Sequence, residues 1–193
     1  MNREIDQLIR LVKPPLMPNI NKSTEYWQNL ERIVGTKIPD DYFQLAMTYG
    51  RGSFGDFNFH ANSAIEEYTS SEFVRNYNDG LANWPMSCTI RQEIEGEELS
   101  LPVWPITPGL FMIGDNCCSQ WLGYYTTGSP NEWVVIVTCG SLCQFINTGM
   151  NLSSYLLKCH ASPDIHSIYM YTKEDVAASR FSFKPMPDTE SIA

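Results

Sequence analysis

Six cysteines and three histidines, His60, His160 and His166, are the side chains best suited to metal or nucleophilic chemistry. Zn²⁺ prefers four N or S ligands, and Cys117-Cys118, Cys139, Cys143 and Cys159-His160 invite that reading. No Cys-x-x-Cys pair exists, and a buried free cysteine behaves as a small apolar residue. Cys139-Gly140-Ser141-Leu142-Cys143 looks like a papain-type nucleophile segment, but its spacing is one residue too long. Only about 50 residues follow it, where that chemistry needs its histidine ~130–150 residues on. No histidine has a neighbouring Ser or Cys in a nucleophile turn, so no triad is expected. Gly50-Arg51-Gly52-Ser53-Phe54-Gly55 lacks the lysine and the spacing of a phosphate loop. Glu66-Glu67 and Glu97-Glu98 are paired in sequence, yet adjacent residues point apart on a helix or a strand. These residues imply no metal, no cofactor and no enzyme.

Charge is the stronger signal. The chain has 193 residues, with 13 Lys+Arg against 22 Asp+Glu, a net charge of −9. Such a chain does not hold DNA or RNA by phosphate neutralisation, so direct nucleic-acid binding is excluded. Residues 1–50 balance to zero, residues 51–115 carry −7, and residues 116–193 carry −2. Between Arg91 and Lys158 there is no Lys or Arg. The densest acidic point is Glu93-Ile94-Glu95-Gly96-Glu97-Glu98. Its plain reading is a solvated loop or hairpin, and its sharper reading is a docking surface for a basic partner.

The length suits one globular domain. Ile5, Leu8, Ile9 and Val12 fall at helical spacing, and Lys13-Pro14-Pro15-Leu16-Met17-Pro18 stops that helix. A second helix is predicted after an N-cap at Ser23 or Thr24, burying Trp27, Leu30 and Val34 and closing at Gly35. Pro39 reads as a first-turn proline of a third helix, Asp40–Tyr49, which Gly50 closes. One strand is expected over residues 53–59 and a helix over 62–77. Strands then follow over 88–94, 110–113, 120–125, 133–137 and 143–146, with a helix over 152–159. Residues 165–171 suggest an edge strand, 173–179 a short helix, and 185–193 a frayed end. Helices first, then an antiparallel meander, then a closing helix packed on it, give an α+β fold. The division expected is an N-terminal helix and Pro-rich linker (1–22), an α+β domain (23–160) and a C-terminal extension (161–193).

The opening residues alternate in charge where a secretory signal needs an apolar run, and no segment approaches the ~20 apolar residues of a membrane span. A cytoplasmic protein with free thiols is therefore expected, away from membranes, in which the sequons at Asn21 and Asn151 have no role.

One stretch, Asn29-Leu30-Glu31-Arg32-Ile33-Val34-Gly35-Thr36-Lys37-Ile38-Pro39-Asp40-Asp41-Tyr42, resembles the opening of the SUKH superfamily. That family has an amphipathic helix with Glu, a small turn, then aliphatic-Pro-acidic-acidic-Tyr and a glycine turn, here Tyr49-Gly50-Arg51-Gly52. Phe111-Met112-Ile113-Gly114-Asp115-Asn116 is similar to its apolar strand ending in Gly-Asp. Trp121-Leu122-Gly123-Tyr124-Tyr125, residues 133–137 and Leu152-Ser153-Ser154-Tyr155-Leu156-Leu157 follow in the family's order, so the likeness spans about residues 24–160. The usual Asn-Gly-Gly turn is absent, the hairpin after Gly-Asp reads Asn116-Cys117-Cys118-Ser119, and the insertion from 78 to 108 is long. Trp27, Glu31, Pro39, Tyr42, Gly50, Gly52, Gly114 and Asp115 are the structural motif positions, with Asp115 expected to hydrogen-bond within its own turn.

The resemblance implies a bacterial immunity protein that binds and neutralises a cognate toxin, often one acting on nucleic acid. An acidic surface can replace a phosphate backbone in front of a basic cleft. On that reading Glu93, Glu95, Glu97 and Glu98 contact the toxin, with Asp56, Glu66 and Glu67 behind them. The alternative is an intracellular regulatory scaffold with several protein partners, as fungal members resemble. Either reading expects a monomer or weak homo-oligomer.

Overall fold

The computed structural model describes residues 3–55, 57–61, 65, 70, 72, 91–94, 97–115, 120–139, 144–161 and 181–186. Helix α1 is Arg3–Leu11, α2 Thr24–Val34, α3 Asp40–Tyr49 and α4 Leu152–Ala161. The strands are β1 Gly52–Phe54, β2 Phe57–Phe59, β3 Arg91–Ile94, β4 Glu97–Ser100, β5 Leu110–Asp115, β6 Gln120–Tyr125, β7 Val134–Cys139, β8 Gln144–Asn147 and β9 Phe183–Pro185. This is an α+β architecture.

The helices begin and end where local chemistry dictates. Ser23 accepts from the Tyr26 N–H at the start of α2, and Gly35 closes it at φ +79°, a left-handed turn that a Cβ would disfavour. Pro39 is the cap residue of α3 rather than part of its first turn, because its extended ψ of 135° places the chain just outside the helix. Trp27, Leu30 and Val34 are buried along α2, and Ile5 and Leu8 along α1.

Seven strands form one antiparallel sheet in the order β8-β7-β6-β5-β2-β1-β9, and β3 and β4 pair apart from it as a hairpin. The single strand expected over 53–59 is instead two, β1 and β2, folded back so that Phe54 faces Phe57. Gly55, at φ +57°, makes that reversal possible.

Alternation along β5 explains how the sheet is covered. Phe111 and Ile113 belong to the main core beneath the helices, whereas Leu110 and Met112 join Leu101, Val103, Ile136 and Phe145 in a second cluster. Both faces are therefore buried, the second by the segment 101–103 that follows the β3–β4 hairpin. Helix α1 packs on α4 and on α3, so Ile5, Leu8 and Val12 share the main core.

Strand β9 is not foreshadowed in the sequence; residues 183–185 pair with β1, register Gly52↔Pro185. Three residues with one proline carry no readable strand period, and what places them is Phe183, whose ring lies 4.8 Å from Phe54 and 5.0 Å from Tyr49. Phe183→Ala is expected to lower unfolding free energy by about 2 kcal/mol in urea titration, by loss of partly buried ring contacts. A change near zero would mean that β9 adds nothing to the core. The expected helix over 62–77, the strand over 165–171 and the helix over 173–179 fall largely or wholly outside the described residues.

Candidate functional site

The acidic segment forms a hairpin. Register pairs Glu93 with Glu98 and Ile94 with Glu97, while Arg91 lies opposite Ser100. Two glutamates directly across a strand pair repel each other, and a pairing of this kind is destabilising unless a cation lies near it. Strand β3 runs beside β8, the edge strand of the large sheet, so the hairpin stands at that edge. Glu93, Glu97 and Glu98 are thus brought to one hairpin, whereas Glu95 lies outside the described residues. Asp56, Glu66 and Glu67 also lie outside them.

The motif positions hold the scaffold together. Trp27 donates its indole N–H to the Asn21 carbonyl at 2.8 Å, and its ring meets Phe43 edge-on at 5.0 Å. Glu31 accepts from the Ile38 N–H at 3.1 Å, tying the turn after α2 to its own helix. The Tyr42 hydroxyl donates to the Ala61 carbonyl. Gly50 and Gly52 are points of close approach: a Cβ at Gly50 would lie 2.6 Å from the Asn19 nitrogen, and one at Gly52 2.2 Å from the Phe183 ring.

Asp115 reaches across the sheet to β2. Asn58 Nδ2 donates to its Oδ1 at 2.9 Å, and His60 Nε2 lies 3.2 Å from the same oxygen. The expectation of a bond within its own turn involves residues 116–119, outside the described residues. Together Asn58, His60 and Asp115 fasten β2 to β5.

A dense polar node among the described residues was missed by sequence reasoning. Asp41, in the first turn of α3, accepts at Oδ1 from the Tyr42 N–H (2.7 Å) and the Tyr124 hydroxyl (2.8 Å). Its Oδ2 accepts from the Leu152 N–H (2.7 Å) and the Ser153 N–H (3.4 Å), the opening of α4. Glu4, from α1, receives the Asn151 amide and the Ser153 and Ser154 hydroxyls at the same helix start. Two carboxylates from two helices therefore neutralise the positive end of a third. Neighbouring Asp40 faces elsewhere and exchanges hydrogen bonds of 2.8 and 3.0 Å with Asn131. Burial pushes the Asp41 carboxyl above its ordinary value of 3.8, while its Tyr124, Leu152, Tyr42 and Ser153 donors pull it back. With both oxygens occupied by donors, Asp41 is a fastening rather than a proton carrier.

Comparison with family models, with curated proteins and with solved structures returns no match. The chain's chemistry therefore has to be read from its own residues. Among the described residues, no group of three or more His, Cys, Asp and Glu could hold a metal ion. Cys159, named above as a zinc candidate with His160, lies in the core, where burial pushes its thiol up to about 12. A thiol in that state is unreactive at neutral pH. Among the described residues, no helix is long and apolar enough to cross a membrane.

One cavity of about 390 Å³ was also unforeseen, lying where the end of α2, the loop 104–108 and the turn after β6 meet. Trp104 and Trp133 line it with threonines. In the sequence the tryptophans read as packing residues alone, and no period brings positions 36, 104, 127 and 133 together.

Proposed function

We propose that this protein is an immunity protein that binds a cognate basic toxin and neutralises it by occlusion. The observation that supports this reading is the β3–β4 hairpin, which sets Glu93 across from Glu98 and places Glu97 on the same four-residue strand. A pairing of like charges is stabilised by lysine or arginine side chains brought by a partner. The order of the SUKH-like motifs along an α+β chain supports the same reading, and the motif positions serve the scaffold rather than any reaction. Arg91 opens β3 two residues before Glu93, and no Lys or Arg follows it until Lys158, so carboxylates outnumber cations in this part of the chain.

The test begins with capture of the partner from source cells at low and raised salt, identified by mass spectrometry. A single stoichiometric basic protein whose binding weakens with salt is expected. With that partner in hand, the combined Glu93→Lys, Glu95→Lys, Glu97→Lys and Glu98→Lys variant is expected to bind about a hundredfold more weakly or worse. The matching glutamine variant should lose affinity less and show a shallower salt dependence. Unchanged binding by a folded lysine variant would overturn the assignment of the hairpin. Many substoichiometric partners would favour the scaffold reading instead.

A further inference from the structure

The cavity at Trp104 and Trp133 is independent of the acidic hairpin and of the immunity reading. Its walls are unusual in composition. Among the described residues no charged side chain lines it, and its surface combines Trp104, Trp133, Pro108 and the threonines Thr36, Thr107 and Thr127. The two indole rings are 5.7 Å apart and tilted by 48°. Each is fixed by its own N–H, Trp104 donating to the Val34 carbonyl at 3.0 Å and Trp133 to the Gly128 carbonyl at 3.3 Å. Phe111 backs both rings at 6.1 and 5.6 Å. The aromatic surface is therefore held in place before any ligand arrives, which lowers the ordering cost of binding.

The polar groups are equally telling. Thr126 spends its hydroxyl on Gly109, accepting from its N–H and donating to its carbonyl. The hydroxyls of Thr36, Thr107 and Thr127 have no partner among the described residues. A hydroxyl both donates and accepts, so three of them around an aromatic surface match a ligand whose own groups do both. The lack of any lining charge disfavours a phosphate, carboxylate or amine, which would lose water with nothing to pair it. The volume falls within the range of small-ligand pockets.

From these observations we infer that the Trp104–Trp133 cavity is a binding site for a neutral saccharide unit, its apolar face on Trp104 and its hydroxyls on Thr36, Thr107 and Thr127. A proline-rich peptide also stacks on tryptophan, but grooves for such peptides read the peptide carbonyls with free donors. Here both indole N–H groups are already committed within the fold.

The test is titration of the full chain with glucose, N-acetylglucosamine and cellobiose, and separately with a Pro-Pro-Leu-Pro peptide, followed by tryptophan emission and by two-dimensional NMR. Saturable shifts confined to the Trp104, Thr107 and Thr127 signals are expected with at least one sugar. Thr107 and Thr127 are exposed, so Thr107→Val and Thr127→Val should keep the fold while weakening binding several-fold each. Trp104→Phe should weaken it further, with Trp104→Ala read only where circular dichroism shows a folded chain. Absence of saturable shifts with all three sugars, shifts insensitive to the threonine variants, or saturation by the peptide alone would overturn the assignment.

Discussion

Asp41→Ala is expected to lower the unfolding free energy by about 3–5 kcal/mol, a large effect for the truncation of one side chain. The reason is the number of groups left behind. Truncation orphans the Tyr124 hydroxyl and the Leu152 and Ser153 N–H groups, all directed at one carboxylate. Tyr124 is fully buried, so no water replaces the lost acceptor without opening the sheet–helix contact. Helix α4 also loses one of its two anionic caps and keeps only Glu4. Urea titration gives the magnitude, and hydrogen exchange should show the first turn of α4 losing protection before the sheet does. A cost under about 1 kcal/mol would mean that Glu4 and the Asn151 side chain hold the helix start without Asp41.

Asp41→Asn separates charge from contact. Burial raises the folded-state pKa of Asp41 above 3.8, so the folded chain holds this proton more tightly than the unfolded chain does. Stability from this group is then greatest at low pH and falls as pH rises through the window above 3.8. The wild type's advantage over Asp41→Asn is expected to narrow across that window, and other titrating groups largely cancel in the difference. The opposite slope would show that the four donors outweigh burial.

How far the sequence discloses this molecule depends on the range of the interaction involved. Periodicity and caps operate within a few residues, and α2, with Ser23 before it and Gly35 after it, stands where its capping residues put it. The meander from β5 to β8 is equally legible, since each strand is apolar and the turns between 125 and 133 carry Gly-Ser-Pro-Asn. Long-range duties leave no local trace. Asp40 and Asp41 look alike as acids in a first helical turn, yet one turns to Asn131 and the other to residues 111 and 112 positions away. Strand β9 is recruited from the C-terminal part by Phe183, with Phe181 also against Phe54, and an alternation of two aromatics cut short by Pro185 is too brief to announce an edge strand. The acidic segment was legible as a candidate partner surface, but the alignment of Glu93 with Glu98 required the register. The Trp104–Trp133 cavity was illegible for a similar reason, being assembled from three separate segments.

Gly114→Ala is the second large effect, expected at about 3 kcal/mol or more by the same titration. Gly114 sits where two requirements meet. Register between β5 and β6 shifts between Met112 and Gly114, leaving Ile113 as the extra residue of a bulge. On its other side β5 pairs with β2 through only two positions, Asn58↔Asp115 and Phe59↔Gly114. A Cβ on residue 114 would stand 2.3 Å from the Asn58 carbonyl oxygen, a backbone atom with no rotamer to yield. Relief requires β2 to move away from β5, which also pulls Asn58 and His60 from Asp115. Because β1 and β9 attach to the sheet through β2, the displacement loosens that whole edge. Gly35→Ala provides the contrast: its φ is +79° but nothing lies within 4 Å of the added carbon. That substitution should cost about 1 kcal/mol, from backbone strain alone. If Gly114→Ala costs no more than Gly35→Ala, close approach of β2 is not what requires glycine in the Gly-Asp pair.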